Sequence, residues 1–139
     1  RPPRSTLFPY TTLFRSGCTD VTGFSLAGHA LEMAEGSQVT IKIDTKKIPF
    51  LPDVEEYAKM GLVPEGTYRN KEFLREKIKL NDTIKESFED LLFDPQTSGG
   101  LLVSLKKKDA KEVLKRLQEQ EQPCSDWFGK NQSIPWLCT

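Results

Sequence analysis

The chain has 139 residues, enough for one domain with a real core. Apolar residues make up 37% and charged residues 29%, which suits a soluble globular protein. Twenty Lys and Arg balance twenty Asp and Glu, so no net field steers nucleic acid or an anionic membrane, and no apolar run approaches the ~20 residues that span a bilayer.

Residues 1–16 hold a short repeat, Thr6-Leu7-Phe8 recurring as Thr12-Leu13-Phe14, with no helical or strand period and no apolar core of a secretory signal. They read as a foreign leader, with a natural loop or strand of a preceding domain as the alternative. Gly23 to Ala34 then reads as a helix, with Phe24, Ala27, Leu31 and Ala34 on one stripe. Thr22 or Asp20 is placed to cap it and Gly36 to end it. Val39 to Ile43 alternates strictly and reads as a strand with one buried face. Asp53 opens a short helix that runs to Met60 and stops at Gly61. Leu62 to Asn70 reads as a loop, and residues 71–90 as charged sequence with weak helical stretches.

Leu91-Leu92-Phe93 reads as a short strand and Leu101 to Leu105 as another, ending in three lysines taken as solvated. Asp109 to Gln120 is a helix with Ala110, Val113, Leu114 and Leu117 inward. Beyond it, residues 122–139 carry both tryptophans and show no period, as a frameshifted or irregular tail would. Strands alternating with helices predict a layered α/β or α+β domain. Cys18, Cys124 and Cys138 are odd in number and lack C-x-x-C spacing. They predict neither a disulfide scaffold nor a zinc cage, and fit a reducing cytoplasm.

Two turns carry the chemistry. Thr19-Asp20-Val21-Thr22-Gly23 precedes a helix, where Asp and Thr commonly do no more than cap. The same geometry lets a phosphate approach the glycine-opened backbone, with a carboxylate beside it for Mg²⁺. Asp94-Pro95-Gln96-Thr97-Ser98-Gly99-Gly100 is longer than the usual ~2–5 residues of a hairpin loop, so it has an added role, chemical or architectural. Gly66-Thr67-Tyr68-Arg69-Asn70 is a weaker motif, with Arg69 read as solvated. His29 is the only histidine, so a multi-histidine metal site is excluded and His29 reads as a core or surface residue. Cys18 reads as a small buried filler.

In this order, Thr19-Asp20-Val21-Thr22-Gly23-Phe24, Gly28-His29, Leu31-Glu32-Met33, Gly66-Thr67 with Asn70, and Asp94 to Gly100 resemble the C-terminal domain of the selenophosphate synthetase family over residues 17–121. Relatives in the same superfamily include aminoimidazole ribonucleotide synthetase, the hydrogenase maturation protein that handles carbamoyl groups, and thiamine monophosphate kinase. The resemblance implies an α+β domain with a mixed sheet flanked by helices. It implies formation of selenophosphate from selenide, ATP and water with release of AMP and phosphate, assisted by Mg²⁺ and K⁺, in a homodimer. Asp20 would bind Mg²⁺, with Thr19, Thr22 and Gly23 in the ATP phosphate region, while the Asp94–Gly100 turn is mainly architectural. The family's reactive Cys or selenocysteine, its Lys and its adenine site belong to an N-terminal domain, so no catalytic residue is expected in this stretch. Ser25 stands where many members have Gly. The alternatives are another synthetase or kinase of the superfamily, and a non-catalytic nucleotide-binding or docking domain.

Overall fold

The structure is a computed structural model that describes residues 15–97, 99–120, 124–126 and 133–138. Four strands, β1 (Arg15–Asp20), β2 (Leu101–Lys106), β3 (Cys124–Asp126) and β4 (Ser133–Cys138), form one sheet in the order β1-β2-β4-β3. Every ladder is antiparallel. The α+β class is the expected one, but the parallel component of a mixed sheet does not occur among the described residues. Strands β3 and β4 lie where the sequence showed no period. β4 pairs with β2 and β3 pairs with β4, and ladder hydrogen bonds need no hydropathy pattern.

Side chains alternate along β2 and so face two layers. Leu102 belongs to the main core, with Leu26, Ala27 and Ala30 of α1 (Ser25–Ser37), Leu74 of α3 (Glu65–Leu74) and Leu92 and Phe93 of α4 (Glu86–Phe93). Leu105 and Val103 turn instead to Ala110, Val113 and Leu114 of α5 (Lys107–Glu119). The inward face expected for that last helix is therefore present, and its start moves forward from Asp109 to Lys107. Between α1 and α3 in the chain run a 3-10 turn (Thr45–Lys47) and the short α2 (Val54–Lys59).

Several expected elements differ. Over Val39 to Ile43 the alternation holds only from Thr40 on, with Ile41 and Ile43 half-buried and Val39, Thr40 and Lys42 exposed; the segment has no ladder partner among the described residues and is not a strand. Leu91, Leu92 and Phe93 form the last turn of α4. All three are buried, so their apolar run could not distinguish a buried helix from a strand. The supposed loop from Leu62 to Asn70 contains most of α3, which begins after an extended Pro64. Helix α1 passes through Gly36 and ends at Gln38, in the left-handed region at φ 54°, whose N–H bonds the carbonyls of Ala34 and Glu35.

Neither Thr22 nor Asp20 caps α1. The N-cap position is Phe24, which makes no side-chain cap bond, and the buried hydroxyl of the next residue, Ser25, accepts the Gly28 N–H at 3.3 Å. Ser25 does so at φ 70°, a conformation that costs a residue with a Cβ roughly 1 kcal/mol. Exchanging a Ser cap for Gly loses only a few tenths of a kcal/mol. Ser25→Gly is therefore expected to stabilise the fold by about 0.5–1 kcal/mol, read as a higher urea midpoint at unchanged slope. A lower midpoint would show that the hydroxyl outweighs the strain.

Candidate functional site

The Thr19–Gly23 turn leaves the sheet at the end of β1. Thr19 pairs with Leu102 and Asp20 with Leu101. Asp20 is exposed, Val21 is buried, Thr22 is half-buried and Gly23 is exposed. Val21 is anchored in the core, between the exposed Asp20 and the half-buried Thr22.

The second turn holds the first in place. The Val21 N–H donates to the Gly100 carbonyl at 2.9 Å, and the Gln96 N–H donates to the Thr22 carbonyl at 3.1 Å. That same Thr22 carbonyl accepts the Ser25 N–H at 2.9 Å. Gly99 lies so close that a Cβ built there would stand 2.2 Å from the Val21 carbonyl oxygen. Only glycine permits this approach of two backbones. The carboxamide of Asn70 completes the joint, donating to the carbonyls of Gly23 at 3.1 Å and Phe93 at 3.0 Å.

Asp94 points into this joint rather than outward. Its carboxylate accepts Thr67 Oγ1 at 3.4 Å and Gln96 Nε2 at 2.8 Å. Burial raises its pKa above the ordinary 3.8, and the two hydrogen bonds oppose the rise without cancelling it. A raised pKa means the folded chain holds this proton more tightly than the unfolded chain does. The favourable contribution is complete below 3.8 and is lost as pH climbs from there through the raised value. Between acidic and neutral pH the wild type should therefore lose stability relative to Asp94→Asn. Urea midpoints of both proteins at two pH values check this, and a constant difference would refute it.

The four candidate residues thus lie in one backbone-braced segment, with Asp20 and Gly23 exposed and Thr19 and Thr22 half-buried. Two neighbours, Asn70 and His29, make contacts that the sequence does not announce, while Arg69 is as expected. Asn70 is a clip between turns. Arg69 pairs with Glu65 at 2.6 Å on the exposed side of α3, as a solvated arginine would. His29 bonds Thr22, with Nε2 3.0 Å from Oγ1, and Glu32, with Nδ1 2.9 Å from Oε2. Cys18 is half-buried rather than buried, opposite Val103 in the ladder. No signal in hydropathy marks Asn70 or His29, because both act through hydrogen bonds to distant or backbone atoms.

Among the described residues no three His, Cys, Asp or Glu side chains gather as a metal cage. Asp20 is a single carboxylate. That fits Mg²⁺ held between a phosphate chain and one or two carboxylates, an ion that keeps several waters and does not need an all-protein cage. A cleft of about 780 Å³ lies elsewhere, between α1 and segments 39–45 and 77–84, with Ala27, Leu31, Ile43 and Ile78 in its wall. None of the four candidate residues lines it. Among the described residues, no helix is long and apolar enough to cross a membrane.

Residues 16–126 match the family described as AIR synthase related protein, C-terminal domain. The chain is also similar to curated proteins. A "Selenide, water dikinase" of Clostridium botulinum (strain Eklund 17B / Type B) is 52% identical over 101 residues, 73% of this chain and 29% of the relative. One from Caldanaerobacter subterraneus subsp. tengcongensis is 49% identical over 105 residues, 76% of this chain and 30% of the relative. One from Treponema denticola is 42% identical over 111 residues, 78% of this chain and 31% of the relative. The chain spans less than two thirds of these relatives, at most 35% where coverage is greatest among those most similar. With a match over most of its length and with its two glycine-bearing turns braced together, the chain belongs to the family of AIR synthase related proteins through their C-terminal domain.

Proposed function

We propose that the chain is the C-terminal part of an ATP-dependent phosphotransferase that makes selenophosphate from selenide, ATP and water, releasing AMP and phosphate. The observation that carries this reading is the 52% identity over 101 residues to a selenide, water dikinase. The exposed turn supports it physically: Asp20 is the Mg²⁺ ligand, and Thr19, Thr22 and Gly23 border the ATP phosphates. Mg²⁺ bound there supplies charge neutralisation on the phosphoryl oxygens. The chain's own part is to hold that carboxylate still, through the Gly99 and Asn70 contacts, and to open a helix start toward the anion. K⁺ assists. An N-terminal domain of the same enzyme completes the nucleotide site, and the full enzyme is a cytoplasmic homodimer.

The test is a chimera. Residues 17–126 replace the matching segment of the Clostridium botulinum relative, and selenide-dependent AMP release is measured. Activity within about tenfold of the unaltered relative is expected, a barrier change of ~1.4 kcal/mol or less. A folded, ATP-binding chimera that instead forms aminoimidazole ribonucleotide, or turns over nothing, would reject the reading. The 139-residue chain alone is expected to release no AMP.

A further inference from the structure

Thr22, His29 and Glu32 form a hydrogen-bonded chain that begins at the candidate site. Thr22 Oγ1 lies 3.0 Å from His29 Nε2, and His29 Nδ1 lies 2.9 Å from Glu32 Oε2. His29 and Glu32 sit one turn apart on α1, and the imidazole is 13% exposed. The ring of Phe24 meets it edge-on at 5.9 Å and 87°. Gly28 makes room for that ring: a Cβ at position 28 would stand 2.6 Å from Phe24. The imidazole is therefore held on three sides.

The chemistry of this chain has a direction. An ionised carboxylate only accepts hydrogen bonds, so Nδ1 must carry the proton shared with Glu32. A neutral imidazole then has Nε2 as its acceptor, and the Thr22 hydroxyl must donate to it. A hydroxyl has one proton and two lone pairs. With the proton committed inward, the oxygen offers only lone pairs to an approaching group. Lone pairs suit a hard cation, whereas phosphate oxygens need donors, which the N–H groups of a helix start provide. Thr22 also follows Asp20 by only two residues, across the buried Val21.

We propose, building on the phosphotransferase reading, that His29 and Glu32 are positioning residues that fix the Thr22 hydroxyl as an oxygen ligand for the cation at Asp20 rather than as a donor to phosphate. The division of labour is then simple. Side-chain oxygens of Asp20 and Thr22 take the metal, and backbone N–H groups take the anion.

The chain's single histidine makes the test direct, because its imidazole nitrogens are the only ones in the spectrum of the ¹⁵N-labelled 139-residue protein. At pH 8 the Nδ1–H tautomer should exceed the other by about tenfold, the preference that one hydrogen bond to a charged group supplies. Glu32→Ala should erase that excess, and Thr22→Ser should keep it. Adding Mg²⁺ should move the Thr22 Cβ resonance in the wild type, and likewise that of the serine in Thr22→Ser, but not the Thr22 resonance in Asp20→Asn. Metal-free tripolyphosphate should leave it in place. A dominant Nε2–H tautomer would overturn the proposal. So would a Thr22 signal that ignores Mg²⁺, or one that follows tripolyphosphate without metal. None of these readings depends on selenide turnover, so an inactive chimera with this spectral pattern would reject the proposed enzyme and leave the positioning role standing.

Discussion

Alanine at position 99 is expected to cost the fold about 3 kcal/mol, at the upper end of what overpacking a tight site costs. The added Cβ would stand 2.2 Å from the Val21 carbonyl oxygen and 3.0 Å from the Val21 carbonyl carbon. Both are backbone atoms of a residue only 3% exposed, so no flexible side chain can yield. Relief requires moving either the end of the β1–β2 ladder or the turn itself. Either motion strains the Val21–Gly100 and Gln96–Thr22 hydrogen bonds. For a domain of this size the loss should appear as a melting temperature lower by roughly 10 °C. Gly36→Ala is the matched control, since its Cβ would meet nothing within 4 Å and the residue lies inside a helix. That change should stabilise by about 0.5–1 kcal/mol. A Gly99→Ala protein that melts with the wild type would show that the two turns are not in the described contact.

The second large effect concerns chemistry. In the active chimera, Asp20→Asn is expected to lower kcat by about a hundredfold or more, the scale on which losing one charge-stabilising group in a phosphoryl-transfer site is felt. Its side chain is exposed and belongs to no core cluster, so stability should change by less than about 0.5 kcal/mol. The two measurements together separate a metal ligand from a helix cap. A cap would lose stability and keep its rate. An unchanged kcat in a folded variant would remove Asp20 from the proposed site.

Helix α3 explains why part of the fold was legible in the sequence and part was not. The first and last helices and strand β2 announce themselves through apolar spacing, because their inward faces are apolar, whereas the second is marked by the residues at its ends, Asp53 and Gly61. The inward face of α3 is largely polar. Thr67 is fully buried against Asp94, Asn70 reaches the Gly23 and Phe93 carbonyls, and Lys71 bridges to Asp90 at 2.8 Å and Glu89 at 3.1 Å. Burial works to lower the Lys71 pKa, yet the two carboxylates prevail and raise it. Only Leu74 is apolar and deeply buried on that helix. A hydropathy period cannot find such a helix, whose inward contacts are hydrogen bonds to residues distant in sequence. Val39 to Ile43 is the converse case: its period survives in Ile41 and Ile43 but not in the exposed Val39, and the missing ingredient is a partner strand, which no local pattern encodes.

The candidate turn itself was visible as residue types, but its rigidity was not. Asp20 and Gly23 could be named from their neighbours in sequence. That Gly99, Gln96 and Asn70 hold them became evident only in three dimensions.

The stitching of the two turns also bears on how the protein comes into being. Thr19 and Leu102 are ladder partners roughly eighty residues apart, a separation of the kind that slows folding because a long loop must close before the pairing stabilises anything. A nascent chain that has left the ribosome only as far as α4 already contains every residue of the Asp20 turn, yet lacks the backbone that immobilises it. The shape of the turn is thus acquired only after β2 has been made, in the event that pairs it with β1.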